Sequence, residues 1–150
     1  MLVNVISCMY TNNLEIIINA PIKNVWHALT DKEKIKEWMY DTEVETNWEE
    51  GSPIKYTAYD AKGNIVTWNG KQVVWDGVVD KIVIQKELTF FYPSMAEGLE
   101  KESFHLVEVF PEVTKVSLSQ DFLTKEAANL YFGNTRHMLH KLKDFLEIWY

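Results

Sequence analysis

The stretch from Asn19 to Trp38 reads NAPIKNVWHALTDKEKIKEW, and it decides the fold. A β-branched run at residues 14–18 predicts a strand that stops here, because Pro21 suits the first turn of a helix better than a strand. Apolar residues at helical spacing then form one face of a short helix. Thr30 or Asp31 can cap a second short helix that ends on a tryptophan. The stretch therefore predicts a strand followed by two short helices.

The rest of the chain changes its hydrophobic period from two to about 3.6. Between residues 53 and 122, short alternating runs separated by turns indicate antiparallel strands. Two turn signals, at 60–63 and 69–70, compete as the main hairpin. From Thr124, a plausible N-cap, an apolar stripe predicts one long helix.

This order predicts an α+β fold in which a curved antiparallel β-sheet wraps around a long C-terminal α-helix. The two short helices follow the first strand. We assign residues 13–150 to this single domain. Residues 1–12 are expected to form an N-terminal tail, because the clear strand pattern begins only after them.

Charge and cysteine content exclude several functional classes. The net charge is −7, which argues against binding to nucleic acid and to anionic membranes. Arg136 is the one arginine, so bidentate arginine clamps are nearly excluded. The single cysteine, Cys8, rules out an internal disulfide. Because the N-terminus also lacks a basic signal-peptide region, we expect a cytoplasmic protein.

The motif APIKNVWHALTD at residues 20–31, followed by Trp38, resembles the START-like helix-grip superfamily, also called SRPBCC. Within that superfamily it resembles the group named for the activator of heat shock protein 90 ATPase. Similar segments occur at 51–53 (GSP), 77–79 (GVV) and 139–147 (LHKLKDFLE). The resemblance implies a helix-grip fold with a cavity between the sheet and the C-terminal helix. It implies no particular reaction, because one fold hosts many functions.

Two segments depart from the pattern of the group. Residues 133–135 read GNT, where members often carry a Gly-Trp pair, and the segment 60–76 with its two turns looks longer than usual. Both departures affect the expected shape of the cavity. Trp26 and Trp38 would lie on the two short helices that plug one open end of the curved sheet. Core packing is the simpler role for both, and the alternative is that one of them borders a cavity.

The candidate ligand-binding residues are those whose alternation or helical spacing turns them inward. Buried polar groups need partners, so Thr114, Gln120 and Thr135 either pair with one another or meet a bound molecule or water. Mostly apolar cavities with a few such groups are typical of small-molecule sites. The predicted lining is Trp38, Tyr56, Trp75, Phe90, Phe104, Leu106, Leu118, Gln120, Tyr131, Thr135 and Met138.

Catalytic and metal-binding patterns are absent from the sequence. It has no nucleophile, phosphate-loop, dinucleotide or zinc motif, so we predict no catalytic residue, no metal and no cofactor. His137 and His140 share a spacing that suits a metal, but they lie opposite the apolar stripe of the helix, and we expect a solvated face. Glu102 and Glu108 share a strand face with apolar residues. We expect both at strand ends near solvent, although a carboxyl group buried in a cavity would have a raised pKa.

Three functions stay open at this point. The first is a non-catalytic domain that binds a small hydrophobic or amphipathic molecule. The second is a protein-interaction domain with a chaperone partner, which the resemblance implies. The third is a cyclase-type or hydrolase-type enzyme that uses Glu102 or Glu108. Either a monomer or a homodimer is compatible with the sequence.

Overall fold

The computed structural model describes residues 9–39, 41–68, 70–93 and 98–150. In chain order, the strands are β1 Tyr10–Ile18, β2 Thr42–Glu45, β3 Pro53–Ala58, β4 Thr67–Trp68, β5 Lys71–Gln72, β6 Val74–Val83, β7 Glu87–Phe91, β8 Leu99–Phe110 and β9 Val113–Phe122. The helices are α1 Ile22–Thr30, α2 Lys32–Trp38 and α3 Lys125–Asp144. One turn of π-helix, Phe145–Trp149, extends α3.

Seven of these strands form one antiparallel sheet in the order β1-β9-β8-β7-β6-β3-β2. The predicted α+β helix-grip architecture is confirmed, with two short helices after the first strand and one long C-terminal helix. No helix in the described part of the chain is long and apolar enough to cross a membrane.

Local capping signals explain where the helices begin. The Asp31 carboxylate accepts hydrogen bonds from the backbone N–H groups of Glu33 and Lys34, at 2.9 and 3.3 Å, and so caps α2. The Thr124 hydroxyl accepts a hydrogen bond from the Ala127 N–H at 3.1 Å and caps α3, as predicted. Both caps satisfy donors that have no partner within their own helix.

The first strand begins earlier than the sequence pattern indicates. Residues 10–12, which we expected in the tail, pair with residues 120–122 of β9. The pairing includes a hydrogen bond at 2.7 Å from the Thr11 hydroxyl to the Asp121 carboxylate. The polar side chains of residues 11 and 12 gave no apolar pattern from which a strand could be predicted. They are polar because this part of the strand lies at a sheet edge, where half of the positions face solvent. Residues 1–8, including Cys8, lie outside the described residues.

Both turn signals between β3 and β6 are used, so neither turn alone connects these two paired strands. Asp60 accepts backbone hydrogen bonds that close the first turn, and a single bridge pairs Tyr59 with Ile65. The second turn joins the small β4–β5 ladder, and Asn69 of that turn lies outside the described residues. We call residues 59–73 the long connection. Backbone hydrogen bonds join it to the end of β3, from the Val66 N–H to the Ala58 carbonyl and from the Ala58 N–H to the Val73 carbonyl.

Gly77 in β6 allows a close approach of the next strand, which is one reason for a glycine within a strand. A Cβ atom at this position would lie 2.7 Å from Cδ1 of Tyr92 and would overlap the backbone oxygen of Phe91. The glycine therefore lets the Tyr92 ring and the Phe91 backbone approach β6 closely.

The core lies between the concave face of the sheet and the helices. Trp26 is buried on α1, and Trp38 on α2 donates its Nε1–H to the Ala28 carbonyl at 2.7 Å. Side chains also fasten α3 to β1 at two points: Asn12 donates to the Ala128 carbonyl and Lys143 donates to the Ile17 carbonyl, both at 2.7 Å. These contacts hold the ends of α3 against the sheet edge.

Candidate functional site

A cavity of about 370 Å³ lies between the sheet, α2, α3 and the long connection. Its walls come from every one of these elements, so it is a product of the tertiary fold rather than of a local motif. The lining residues are Leu29, Ile35, Trp38, Met39, Thr42, Tyr56, Ala58, Val66, Trp68, Val73, Trp75, Leu88, Tyr92, Glu102, Phe104, Gln120, Tyr131, Asn134, Thr135, His137, Met138 and Lys141.

Aromatic rings form much of the wall and contact one another mainly edge to face. The ring of Trp75 lies 5.7 Å from that of Tyr92 and 5.9 Å from that of Tyr131, measured between centroids. Trp68, carried by the long connection, lies 5.4 Å from Tyr131 on α3. Edge-to-face contacts of this kind are favourable beyond the area that they bury. They hold the long connection over the cavity.

A buried hydrogen-bonded cluster interrupts this apolar wall. Thr135 of α3 donates its hydroxyl to Oε1 of Gln120 at 2.9 Å, and Gln120 donates its Nε2–H to Oε2 of Glu102 at 2.6 Å. The Tyr92 hydroxyl donates to Oε1 of Glu102 at 3.3 Å. We call Tyr92, Glu102, Gln120 and Thr135 the polar cluster. Its members come from α3, from β8 and β9, and from the residue that follows β7.

Burial changes the acidity of three groups at this site. Desolvation raises the pKa of Glu102 from 4.5 to about 7, although the hydrogen bonds from Gln120 and Tyr92 oppose the rise. Burial, with the nearby Glu102 carboxylate as a second cause, raises the pKa of the Tyr56 and Tyr92 hydroxyls above their usual value. The tyrosines are therefore neutral donors at neutral pH, whereas Glu102 changes its charge there.

Of the eleven residues predicted to line a cavity, eight lie on this wall. They are Trp38, Tyr56, Trp75, Phe104, Gln120, Tyr131, Thr135 and Met138. Phe90, Leu106 and Leu118 instead lie in the packed core, with at most 4% of each side chain exposed. The ring of Phe90 stands behind that of Tyr56, at 6.1 Å. Alternation identified correctly which side chains point inward. It does not show which of them border the cavity and which pack in the core.

The expectation for the two glutamates was right for Glu108, which is exposed, and wrong for Glu102, which is 5% exposed. Both lie on β8, but Glu102 pairs with Gln120 and Phe90 of the neighbouring strands, in the middle of the sheet. The predicted pairing of inward polar groups holds for Gln120 and Thr135. Thr114 makes a separate contact, from its hydroxyl to the Ala20 carbonyl at 2.8 Å.

Sequence reasoning missed the contributions of the long connection and of one histidine. Trp68 lines the cavity although its segment has no clear period, and the aromatic content of the segment was the available signal. His137 is exposed, as expected, but it also borders the cavity beside Asn134, which is likewise exposed. His140 is exposed on α3. Among the described residues, no three His, Cys, Asp or Glu side chains come together in a group suited to a metal ion.

Comparison with known proteins identifies the relatives of this fold. The family model described as Activator of Hsp90 ATPase homolog 1-like protein matches residues 19–147. The solution structure of ChR145 from Cytophaga hutchinsonii is 30% identical, and the match covers 92% of this chain and 94% of that chain with a TM-score of 0.70. No curated protein matches the sequence.

Two further solved structures show the range of proteins with this fold. The Aha1 dimer from Colwellia psychrerythraea is 26% identical, with a TM-score of 0.69 and coverage of 93% of this chain and 98% of that chain. The di-domain ARO/CYC BexL from the BE-7585A biosynthetic pathway is 16% identical, with a TM-score of 0.74. That match covers 93% of this chain and 47% of BexL, and at this identity it shows the fold alone.

Proposed function

This chain belongs to the Activator of Hsp90 ATPase homolog 1-like family, and we propose that it binds a small hydrophobic or amphipathic molecule in the cavity between its sheet and α3. The observation that carries the proposal is a mainly aromatic and aliphatic wall that meets a buried polar cluster. The role is one of binding without catalysis, and no cofactor takes part in it.

The dimensions and chemistry of the cavity support this role. Its volume of about 370 Å³ falls within the range of roughly 300–1,000 Å³ that is typical of small-molecule sites. Such sites combine apolar walls with a few placed polar groups that fix the orientation of the ligand. Trp75 and Tyr131 are suited to pack against an apolar body, while Glu102 and Gln120 offer polar contacts.

Native mass spectrometry tests the proposal. Protein purified without detergent should carry an adduct of small-molecule mass that disappears after organic extraction. Met138→Trp, which places a larger side chain in the cavity wall, should lose the adduct because its volume competes with the ligand. Leu130→Trp puts the same side chain on the exposed face of α3 and should keep it. An unchanged adduct in folded Met138→Trp would place the ligand elsewhere and contradict the proposal.

A protein-interaction role is the second candidate, with a second copy of this chain as the partner. It is favoured by the 26% identical Aha1 protein from Colwellia psychrerythraea, which is described as a dimer. Exposed apolar side chains, including Phe110 at 69% and Val107 at 50%, are available for such a contact. Light scattering after size exclusion over a range of concentrations measures the mass. A monomer at every concentration would count against the dimer.

The chaperone partner and the cytoplasmic location also stay predictions. The chaperone partner rests on the family description alone. A pull-down with this chain from native lysate tests it, and recovery of no heat shock protein 90 would count against it. The cytoplasmic location rests on the single cysteine, which cannot form an internal disulfide and fits a reducing compartment.

A further inference from the structure

The polar cluster contains a carboxyl group whose hydrogen-bond partners are uncharged, and this restricts the chemistry of its ligand. Glu102 is buried and lines the cavity, and its two hydrogen-bond partners, Tyr92 and Gln120, are both uncharged. An ionised carboxylate offers about four lone-pair positions, of which these partners use two. The cluster can therefore accept a further hydrogen bond from a group inside the cavity.

A cationic group on the ligand would lower the electrostatic energy of this site most. A buried carboxylate without an opposite charge is costly, and a charge-assisted hydrogen bond from a cation offsets part of that cost. An anionic ligand would instead place two like charges close together in a poorly hydrated space. Glu102 therefore favours a cationic group over a neutral one, and a neutral one over a carboxylate.

The aromatic walls favour the same class of ligand. The Trp75 ring contacts those of Tyr92 and Tyr131 at 5.7 and 5.9 Å, so three ring systems stand around one side of the cavity. Ring faces carry partial negative charge and attract ammonium groups, more strongly where water is excluded. The rings and the carboxylate thus both attract a cationic group.

We propose that the ligand is a small apolar amine that places its protonated nitrogen on Glu102 and its apolar body along the aromatic walls. The inference rests on the proposed function and names its ligand class. The other titratable groups on the cavity wall are Tyr56 from β3, Tyr92 after β7, and Tyr131, His137 and Lys141 from α3. The Tyr56 and Tyr92 hydroxyls stay neutral near pH 7, because burial raises their pKa.

Three probes with similar alkyl chains distinguish the effect of ligand charge on affinity from that of hydrophobicity. They are octylamine, octan-1-ol and octanoate. Isothermal titration at about pH 8, where Glu102 is ionised, should give an amine affinity at least about tenfold above that of the alcohol, with octanoate weakest. Glu102→Gln should remove most of the preference for the amine. Glu108→Gln makes the same chemical change at an exposed position of β8 and should retain it.

The pH dependence provides a second measurement on the unmodified protein. Below about pH 7 the amine must compete with a proton on Glu102, so its affinity should fall by up to about tenfold per pH unit. The affinity of the alcohol should change little. The pH dependence should vanish in Glu102→Gln, and if it persists there, His137 or another group is its source and the assignment is overturned.

The outcomes separate the two proposals. Equal affinity for the amine, the alcohol and the carboxylate would overturn the amine assignment and leave a hydrophobic binding site in place. No binding of any of the three probes would overturn both proposals. An amine preference that follows the ionisation of Glu102 supports both. Because the ranking of the three probes and its change with pH are measured on the native protein, the test of the ligand class does not depend on whether Glu102→Gln folds.

Discussion

Replacing Glu102 with Gln should change how the stability of this protein depends on pH. The folded chain holds a proton on this carboxyl up to about pH 7, because burial raises its pKa, whereas the unfolded chain releases it near the usual value of 4.5. Between these two values the folded state binds more protons than the unfolded state. The free energy of unfolding therefore falls as the pH rises through this window. The contribution is fully present below about pH 4.5.

The size of this effect follows from the two pKa values. A rise from 4.5 to about 7 corresponds to a loss of about 3 kcal/mol in the free energy of unfolding, at roughly 1.4 kcal/mol per pH unit. Solvent screening reduces it little, since Glu102 is only 5% exposed. Against a total stability of about 5–15 kcal/mol for a typical domain, the loss is large enough to measure.

Urea unfolding followed by circular dichroism, repeated between about pH 5 and 8, measures the effect. The wild-type curve should fall more steeply than that of Glu102→Gln, which has no proton to release at this position. Glu108→Gln changes the net charge equally at an exposed site and should keep the wild-type slope. Parallel curves for wild type and Glu102→Gln would show an ordinary pKa in the folded state and refute the burial reasoning.

Substitutions at four other positions test the packing and capping of the fold by urea unfolding. Gly77→Ala should cost about 2 kcal/mol, because its Cβ overlaps the neighbouring strand. Gly133→Ala has open space on α3 and should instead stabilise by up to about 1 kcal/mol. Trp38→Phe should cost about 1–3 kcal/mol, since the Ala28 carbonyl loses a buried donor. Asp31→Ala should cost about 1 kcal/mol through loss of the α2 cap, and Asp31→Asn should recover most of it. A neutral Gly77→Ala or Asp31→Ala would contradict the corresponding contact.

The fold was predictable because its signals are local and periodic. The Pro21 break and the Asp31 cap each act within a few residues, and the stripe on α3 repeats over several turns. Alternation placed Gln120 and helical spacing placed Thr135 on facing surfaces, where they pair at 2.9 Å. Each of these features depends on spacing along the chain, which can be read directly from the sequence.

The site was less predictable because it depends on strand register and on an irregular segment. The burial of Glu102 follows from its pairing with Gln120 and Phe90 in the middle of the sheet. The register between distant strands cannot be predicted from the sequence of either strand alone. The long connection carries Trp68 onto Tyr131 through two turns and a short ladder. Its path has no hydrophobic period from which it could be predicted.

The concave face of the sheet divides into two parts with different physical roles. Around Phe90, Leu106 and Leu118 the inward side chains are apolar and packed, and burial there stabilises the fold. Around Glu102 and Gln120 the inward side chains are polar, and next to them a cavity is left open. Burying a carboxyl group here opposes stability above about pH 4.5, while an apolar residue would not. A stabilising substitution at Glu102 should therefore weaken selection of the proposed amine, the trade-off expected where a binding site occupies part of a core.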